Sequence, residues 1–164
     1  KVLLIGAGGA ARGLAVKLAM EGVSELFVVN RTPQKGEALV RHLEASLSYS
    51  SAEFVPLKTE TVRELLPRVE IVINATSVGM GGGTELPISP EGIDGRHLVC
   101  DIVYTPLETL FLKECRQRGA RTLDGLGMLI YQGDLAFQIW TGKRFPAVKI
   151  RNILVERLKR VKLK

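Results

Sequence analysis

A chain of 164 residues, 46% hydrophobic and 24% charged, has the composition of an ordinary globular domain and the length to bury one sizeable core. No apolar run reaches the length of a membrane span, no signal peptide is visible, and two cysteines, Cys100 and Cys115, are too few for a disulfide framework or a metal site. The net charge of +6 raises nucleic-acid binding, but no zinc, RNP or helix-turn-helix signature accompanies it, so a solvated basic face is the better reading.

The first element is an apolar run, Val2 to Ile5, which reads as a buried parallel strand. It breaks at Gly6-x-Gly8-x-x-Ala11, the pattern of a dinucleotide-binding turn. Gly6 permits the tight turn, Gly8 lets the backbone approach a pyrophosphate, and Ala11 is small enough for a helix to pack on the strand. That helix is expected to start near Gly9, with Leu14, Val16, Leu18 and Ala19 on its apolar face. Its free N–H groups and positive dipole end would face phosphate, which makes Gly6, Ala7, Gly8, Gly9 and Ala10 candidate cofactor contacts.

A second strand, Leu26 to Val29, follows about 20 residues after the turn, where such folds place an acidic residue for the adenosine ribose. Here the chain has Asn30, Arg31 and Thr32, then Lys35. A carboxylate would accept hydrogen bonds from a 2′-hydroxyl and repel a 2′-phosphate; two cations do the opposite, and Arg grips phosphate with two parallel N–H bonds. The site therefore reads as built for NADP rather than NAD. Thr32 is expected to cap the next helix, with Pro33 at its first position, which leaves Arg31 free.

Helix and strand then alternate. Pro33 to Leu47 reads as a helix with Ala38, Leu39 and Leu43 inward. Glu53 to Leu57 is a short strand that Pro56 would either end or push to a sheet edge. A short helix spans Thr59 to Leu66, a fourth strand Glu70 to Asn74, and a Gly- and Pro-rich loop runs from Gly79 to Gly95. His97 to Val103 reads as a fifth strand, Pro106 to Arg118 as a helix, and Ala120 to Leu123 as a sixth strand. An apolar helix covers Leu126 to Trp140. From Pro146 a last helix carries a basic face, the excess charge lying on Lys143, Arg144, Lys149, Arg151, Arg157, Lys159, Arg160, Lys162 and Lys164 with Val148, Ile153, Leu154, Leu158 and Val161 interleaved. His42 and His97 have no ligand or nucleophile spacing and read as surface or loop histidines. Six strands alternating with helices imply an α/β fold with an open, mostly parallel, doubly wound sheet of the Rossmann type, whose ligands lie beyond the C-terminal strand ends. Residues 1–142 are expected to form the NADP-binding domain and 143–164 a C-terminal basic amphipathic helix.

Several segments together resemble the NADP-binding domain of the shikimate dehydrogenase family, including its quinate/shikimate relatives. They are Gly6 to Arg12; Asn30-Arg31-Thr32 with Lys35; Asn74-Ala75-Thr76-Ser77 with Gly79 and Met80; Asp101 to Tyr104 with Pro106 and Thr109; and Gly125 to Leu129 with Gln132, Ala136, Phe137 and Trp140 to Gly142. The resemblance covers essentially the whole chain. It implies that the Gly-rich turn holds the pyrophosphate and that Asn30, Arg31, Thr32 and Lys35 hold the 2′-phosphate. It implies that Thr76 lies near the cofactor, that the backbone of Ile102 and Gly125 lies beside the nicotinamide, and that Met128 covers that ring. Tyr104 and Gln132 match residues that reach toward the substrate. Asn74 and Ser77 read equally as loop caps or ligand contacts.

The implied activity is reversible NADPH-dependent reduction of 3-dehydroshikimate to shikimate, in the cytoplasm. A quinate or other cyclic polyol acid as substrate, or a non-catalytic NADP-binding regulatory homologue, stays open, as does assembly into a homodimer. The family's Lys–Asp pair for proton transfer lies in an N-terminal substrate domain that is not among these 164 residues, so no catalytic residue is assigned in this chain. The chain is expected to be one domain of a two-domain enzyme, binding NADP(H) but close to inactive alone, with a partner-facing apolar surface on its last two helices.

Overall fold

Strand β1 (Val2–Ile5) is apolar at every position because it is buried on both faces, in the middle of a sheet rather than on its edge. The computed structural model describes residues 1–161, with side chains through Leu158; the side chains of Lys159, Arg160 and Val161, and all of Lys162, Leu163 and Lys164, lie outside the described residues. Chain order after β1 is α1 (Gly9–Met20), β2 (Leu26–Asn30), α2 (Pro33–Leu47), β3 (Ala52–Pro56), α3 (Thr59–Leu65), β4 (Ile71–Asn74), β5 (Leu98–Asp101), α4 (Leu110–Gln117), β6 (Arg121–Leu123), α5 (Leu126–Thr141) and α6 (Ala147–Val161). The six strands form one sheet in the order β3-β2-β1-β4-β5-β6, and every pairing is parallel. The order reverses at β1: β2 lies on one side and β4 on the other, with Ile5 level with Val29 and Asn74. Pro56 sits on the edge strand β3, where its missing N–H interrupts no ladder on the outer side.

Alternation along the strands splits the core into two layers. Leu3, Ile5, Phe27, Val29, Val72 and Val99 face α3 and α4, represented by Val62, Leu65, Phe111, Leu112 and Cys115. Val2, Leu4, Leu26, Val28 and Ile73 face α1 and α2, represented by Ala11, Ala15, Leu39 and Leu43. Ala11 and Ala15 are the fully buried positions of α1, while Leu14, Val16, Leu18 and Ala19 only flank them. Small residues thus bring α1 close to the sheet, as the glycine-turn pattern requires. In α2 the inward positions are Gly36, Leu39 and Leu43; a Cβ on Gly36 would sit 2.2 Å from the Phe54 ring, and Ala38 is half-buried.

Several expectations need correction. Helix α4 begins at Leu110 rather than Pro106, because Thr109 is its N-cap and accepts a hydrogen bond from Leu112 N–H at 3.3 Å. Strand β5 is shorter than 97–103. The 79–95 segment is not simply a surface loop, since Ile88 and Ile93 are buried in the core beside Leu66. His97 is fully buried: Nδ1 lies 3.1 Å from both Asp94 N and Asp94 Oδ1, and Nε2 lies 3.0 Å from the Leu66 carbonyl oxygen, which accepts its N–H. Only His42 is exposed.

Helices α5 and α6 fold back on one another. The Asp134 carboxylate, nearly buried, accepts from Phe145 N–H at 3.0 Å, and the Phe137 and Phe145 rings meet edge to face at 5.9 Å. Arg151 on α6 grips Asp124 ahead of α5 with two bonds, at 3.1 and 2.7 Å. Along the outside of this pair Tyr131, Leu135, Ile139, Trp140 and Val148 are exposed. No helix among the described residues is long and apolar enough to cross a membrane.

Candidate functional site

Because β1 is flanked by β2 and β4, the loops leaving β1 and β4 diverge to opposite faces and leave a crevice at the strand ends. Gly6 makes the turn into it: its φ is +111°, and a Cβ there would lie 3.0 Å from the Ala75 carbonyl oxygen. Gly8 and Gly9 have nothing within 4 Å of a would-be Cβ, so the backbone at the start of α1 faces open space.

Two adjoining cavities share this glycine floor. One, of about 560 Å³, is lined by Gly6, Ala7, Gly8, Gly9, Arg12, Asn30, Arg31, Thr32, Lys35 and residues 75–77. The other, of about 410 Å³, is lined by Gly8, Gly9, Ala10, residues 75–77, Met80, Ile102, Val103, Tyr104, Gly125, Met128, Leu129 and Gln132. The crevice therefore gathers all fifteen residues singled out from the sequence for cofactor or substrate, divided between its two ends.

The first cavity is an electropositive pocket. Helices α1 and α2 both point their N-termini at it, and neither has a side-chain cap or an acidic residue in its first turn. Thr32 occupies the N-cap position of α2 but its hydroxyl makes no capping bond, against expectation; instead Asn30 Nδ2 donates to the Thr32 carbonyl at 2.8 Å and holds the turn. Arg31 and Lys35 sit at the positive end of the α2 dipole, where cations are unfavourable unless an anion joins them. Arg12 adds a third cation from α1. Sequence reading missed it, although its signal was present: it lies one helical turn past Gly8, on the same face. Among the described residues, no carboxylate pairs with any of the three.

The second cavity is mostly apolar, with a few polar groups at its mouth. Tyr104 and Gln132 are exposed there, and Met128 is 39% exposed over the opening. Gly125 is demanded by space: a Cβ would lie 2.1 Å from the Ile102 carbonyl oxygen and 2.9 Å from that of Asp101. Removing that Cβ seats the start of α5 directly on the chain leaving β5, with Gly125 N–H donating to the Val103 carbonyl at 3.3 Å. Met128, Leu129 and Gln132 are thereby aimed across the cavity.

Thr76 lines both cavities, but its hydroxyl is turned inward. It donates to Asn74 Oδ1 at 2.7 Å and accepts from Val78 N–H at 3.1 Å, leaving the methyl beside Gly6. Of the two readings of Asn74, loop cap and ligand contact, the structure favours the cap: the residue is fully buried and bonded to Thr76, Val78 and Asp101. Ser77 is exposed on the wall of both cavities. Burial raises the Asp101 carboxyl above its ordinary value, partly offset by hydrogen bonds from Val103 N–H, Thr109 and Asn74.

Strand order 3-2-1-4-5-6, a glycine turn after β1 and a crevice at the switch point define a Rossmann-type domain. The family description "Shikimate / quinate 5-dehydrogenase" matches residues 1–80, and "Shikimate 5'-dehydrogenase C-terminal domain" matches residues 125–154. The chain belongs to the shikimate dehydrogenase family, as the C-terminal region of such proteins. A curated relative, the NADP(+) shikimate dehydrogenase of Desulforamulus reducens, is 40% identical over 93% of this chain and 53% of its own length. A shikimate dehydrogenase solved with NADP+ superposes with a TM-score of 0.87 at 36% identity, over 96% of this chain and 54% of that one. A quinate dehydrogenase from Corynebacterium glutamicum, solved with NAD, gives 0.86 at 28% identity, over 94% and 54%. The chain thus spans about half the length of the relatives it matches.

Proposed function

We propose that the chain is the NADP(H)-binding part of a cytoplasmic shikimate dehydrogenase, which interconverts 3-dehydroshikimate and shikimate. The observation that carries this reading is the electropositive cavity: two uncapped helix N-termini and Arg12, Arg31 and Lys35 converge where a ribose diol would want a carboxylate acceptor. An adenosine 2′-phosphate supplies the missing anion. Asn30, Arg31, Thr32 and Lys35 would hold it, Gly6 to Ala10 would donate backbone N–H groups to the pyrophosphate, and the open space before Gly8 and Gly9 fits that approach.

In the second cavity Thr76, Ile102, Gly125 and Met128 would flank the nicotinamide, which supplies the hydride when bound. The chain's own residues orient and exclude water: the Ile102–Gly125 contact forms one wall, and the Met128 thioether covers the opening. Tyr104 offers a phenol and Gln132 an amide to a polyhydroxylated ring. The proton donor for the carbonyl oxygen is assigned to a further domain rather than to this chain. The double length of the relatives supports that division, and the exposed Tyr131–Ile139 face of α5 offers a surface for that domain.

Titration of the chain with NADPH and NADH at low salt tests the reading. NADPH is expected to bind at least tenfold more tightly, since a phosphate–guanidinium contact worth about 1.4 kcal/mol already gives that ratio. Equal affinity for the two, or binding of neither, would overturn it.

A further inference from the structure

Beneath the second cavity runs a hydrogen-bonded chain that is closed to solvent: Asn74 and Thr109 are fully buried and Asp101 is 2% exposed. Thr109 Oγ1 accepts from Leu112 N–H at the start of α4 and donates to Asp101 Oδ2 at 2.8 Å. Asp101 Oδ1 accepts from Val103 N–H and from Asn74 Nδ2, each at 3.0 Å. Asn74 spends its other capacity on Thr76 and Val78. Among the described residues no buried side-chain polar atom is left unpartnered.

A buried acid is an expensive way to fill space, since an apolar side chain of similar volume would serve stability as well or better. What only a carboxylate delivers is a set of acceptors in fixed directions. Those acceptors hold the backbone of Val103 and the side chain of Asn74. Through them they hold both chain segments that wall the second cavity, 102–104 and 75–78. The contact between Ile102 and Gly125 extends the same constraint to α5.

We propose that Asp101, fixed by Thr109, is a positioning residue that sets the shape of the nicotinamide-side cavity; the inference rests on the cofactor reading above. Thr109 is the arm of the network that stands apart from the segment shared by the two cavities. Weakening it disturbs 102–104 directly and reaches 75–78 only through Asn74, which keeps its own bonds to Thr76 and Val78, so the adenosine-side cavity is disturbed less.

The test compares NADPH with 2′,5′-ADP, which carries the adenosine and 2′-phosphate but no nicotinamide. Thr109→Val and Asp101→Asn are expected to weaken NADPH about tenfold while 2′,5′-ADP stays within about twofold, and Thr109→Ser, which keeps the hydroxyl, restores both. A purely structural role moves the melting temperature but not the ratio of the two affinities. An unchanged ratio in Thr109→Val overturns the proposal, and so does a Thr109→Ser that fails to restore it. Should Asp101→Asn not fold, the Thr109 pair decides alone. Failure of the wild-type chain to bind 2′,5′-ADP would strike the cofactor reading itself, and this inference with it.

Discussion

Gly125→Ala is the smallest change with the largest expected effect. The new methyl carbon would stand 2.1 Å from the Ile102 carbonyl oxygen and 2.3 Å from its carbon. Ordinary C···O contact is about 3.3 Å, so the start of α5 must retreat by about 1 Å. The obstacle is backbone at the end of a central strand, which no rotamer change relieves. Overpacking costs about 1–3 kcal/mol, and a clash against main chain belongs at the upper end. At about 2–4 °C per kcal/mol for a domain of this size, the melting temperature is expected to fall by about 6–12 °C. NADPH affinity should fall with it, because Met128 and Leu129 move away from the cavity. Gly127→Ala is the control: nothing lies within 4 Å of its Cβ, and replacing a helical glycine with alanine stabilises by up to about 1 kcal/mol. Thermal melts of the three proteins by circular dichroism decide the matter. A Gly125→Ala protein that melts with the wild type would refute the steric argument, whatever Gly127→Ala does.

Arg31→Asp replaces an attraction to phosphate with a repulsion. It is expected to weaken NADPH by about 2–4 kcal/mol, or about 30- to 1,000-fold, while NADH changes little; parallel loss of both ligands would remove Arg31 from the phosphate contact. Burial alone would raise the Asp124 carboxyl, but the Arg151 guanidinium, joined by the Leu126 and Gly127 N–H groups, holds it below its ordinary value. A depressed carboxylate stabilises the fold above its unfolded-state pKa, and that contribution fades as pH falls through the folded value. Arg151→Met should therefore cost about 1 kcal/mol near pH 7, a figure already reduced for the partly exposed pair, and less as pH falls below the ordinary carboxylate range; melts across that range should show the gap narrowing, and a gap that widens with acid would contradict the sign. Burial pushes the Cys115 thiol up to about 12 and the Cys100 thiol up to about 11. Neither is a thiolate at pH 8, so a disulfide reagent should label the native chain far more slowly than the unfolded one, and prompt native labelling would count against the described burial.

The sheet was legible because its inner strands are uniformly apolar: Val2 to Ile5 and Leu26 to Val29 have one reading, buried on both faces. The residues around the crevice were legible because they break local rules. Glycines interrupt an apolar run, and two cations stand at a helix start where acids belong. What escaped was whatever depends on partners distant in the chain. His97 looked like a surface residue because nothing near it in sequence reveals the Leu66 carbonyl that receives its N–H. Asp101 and Thr109 read as parts of a motif, and the bond between them, which delays α4 to Leu110, appears only once 101 and 109 are folded together. Thr32 had the right identity and position for a cap, but the neighbouring Asn30 side chain holds the turn by another route.

The position of β1 has a consequence for how the molecule is made. Each later strand joins an existing margin of the sheet: β2 beside β1, β3 beside β2, β4 on the opposite flank of β1, then β5 and β6 in turn. No strand has to wedge itself between two that are already paired. A growing polypeptide can thus assemble in the order in which it leaves the ribosome, with the second flank of β1 waiting through β2 and β3 until β4 emerges.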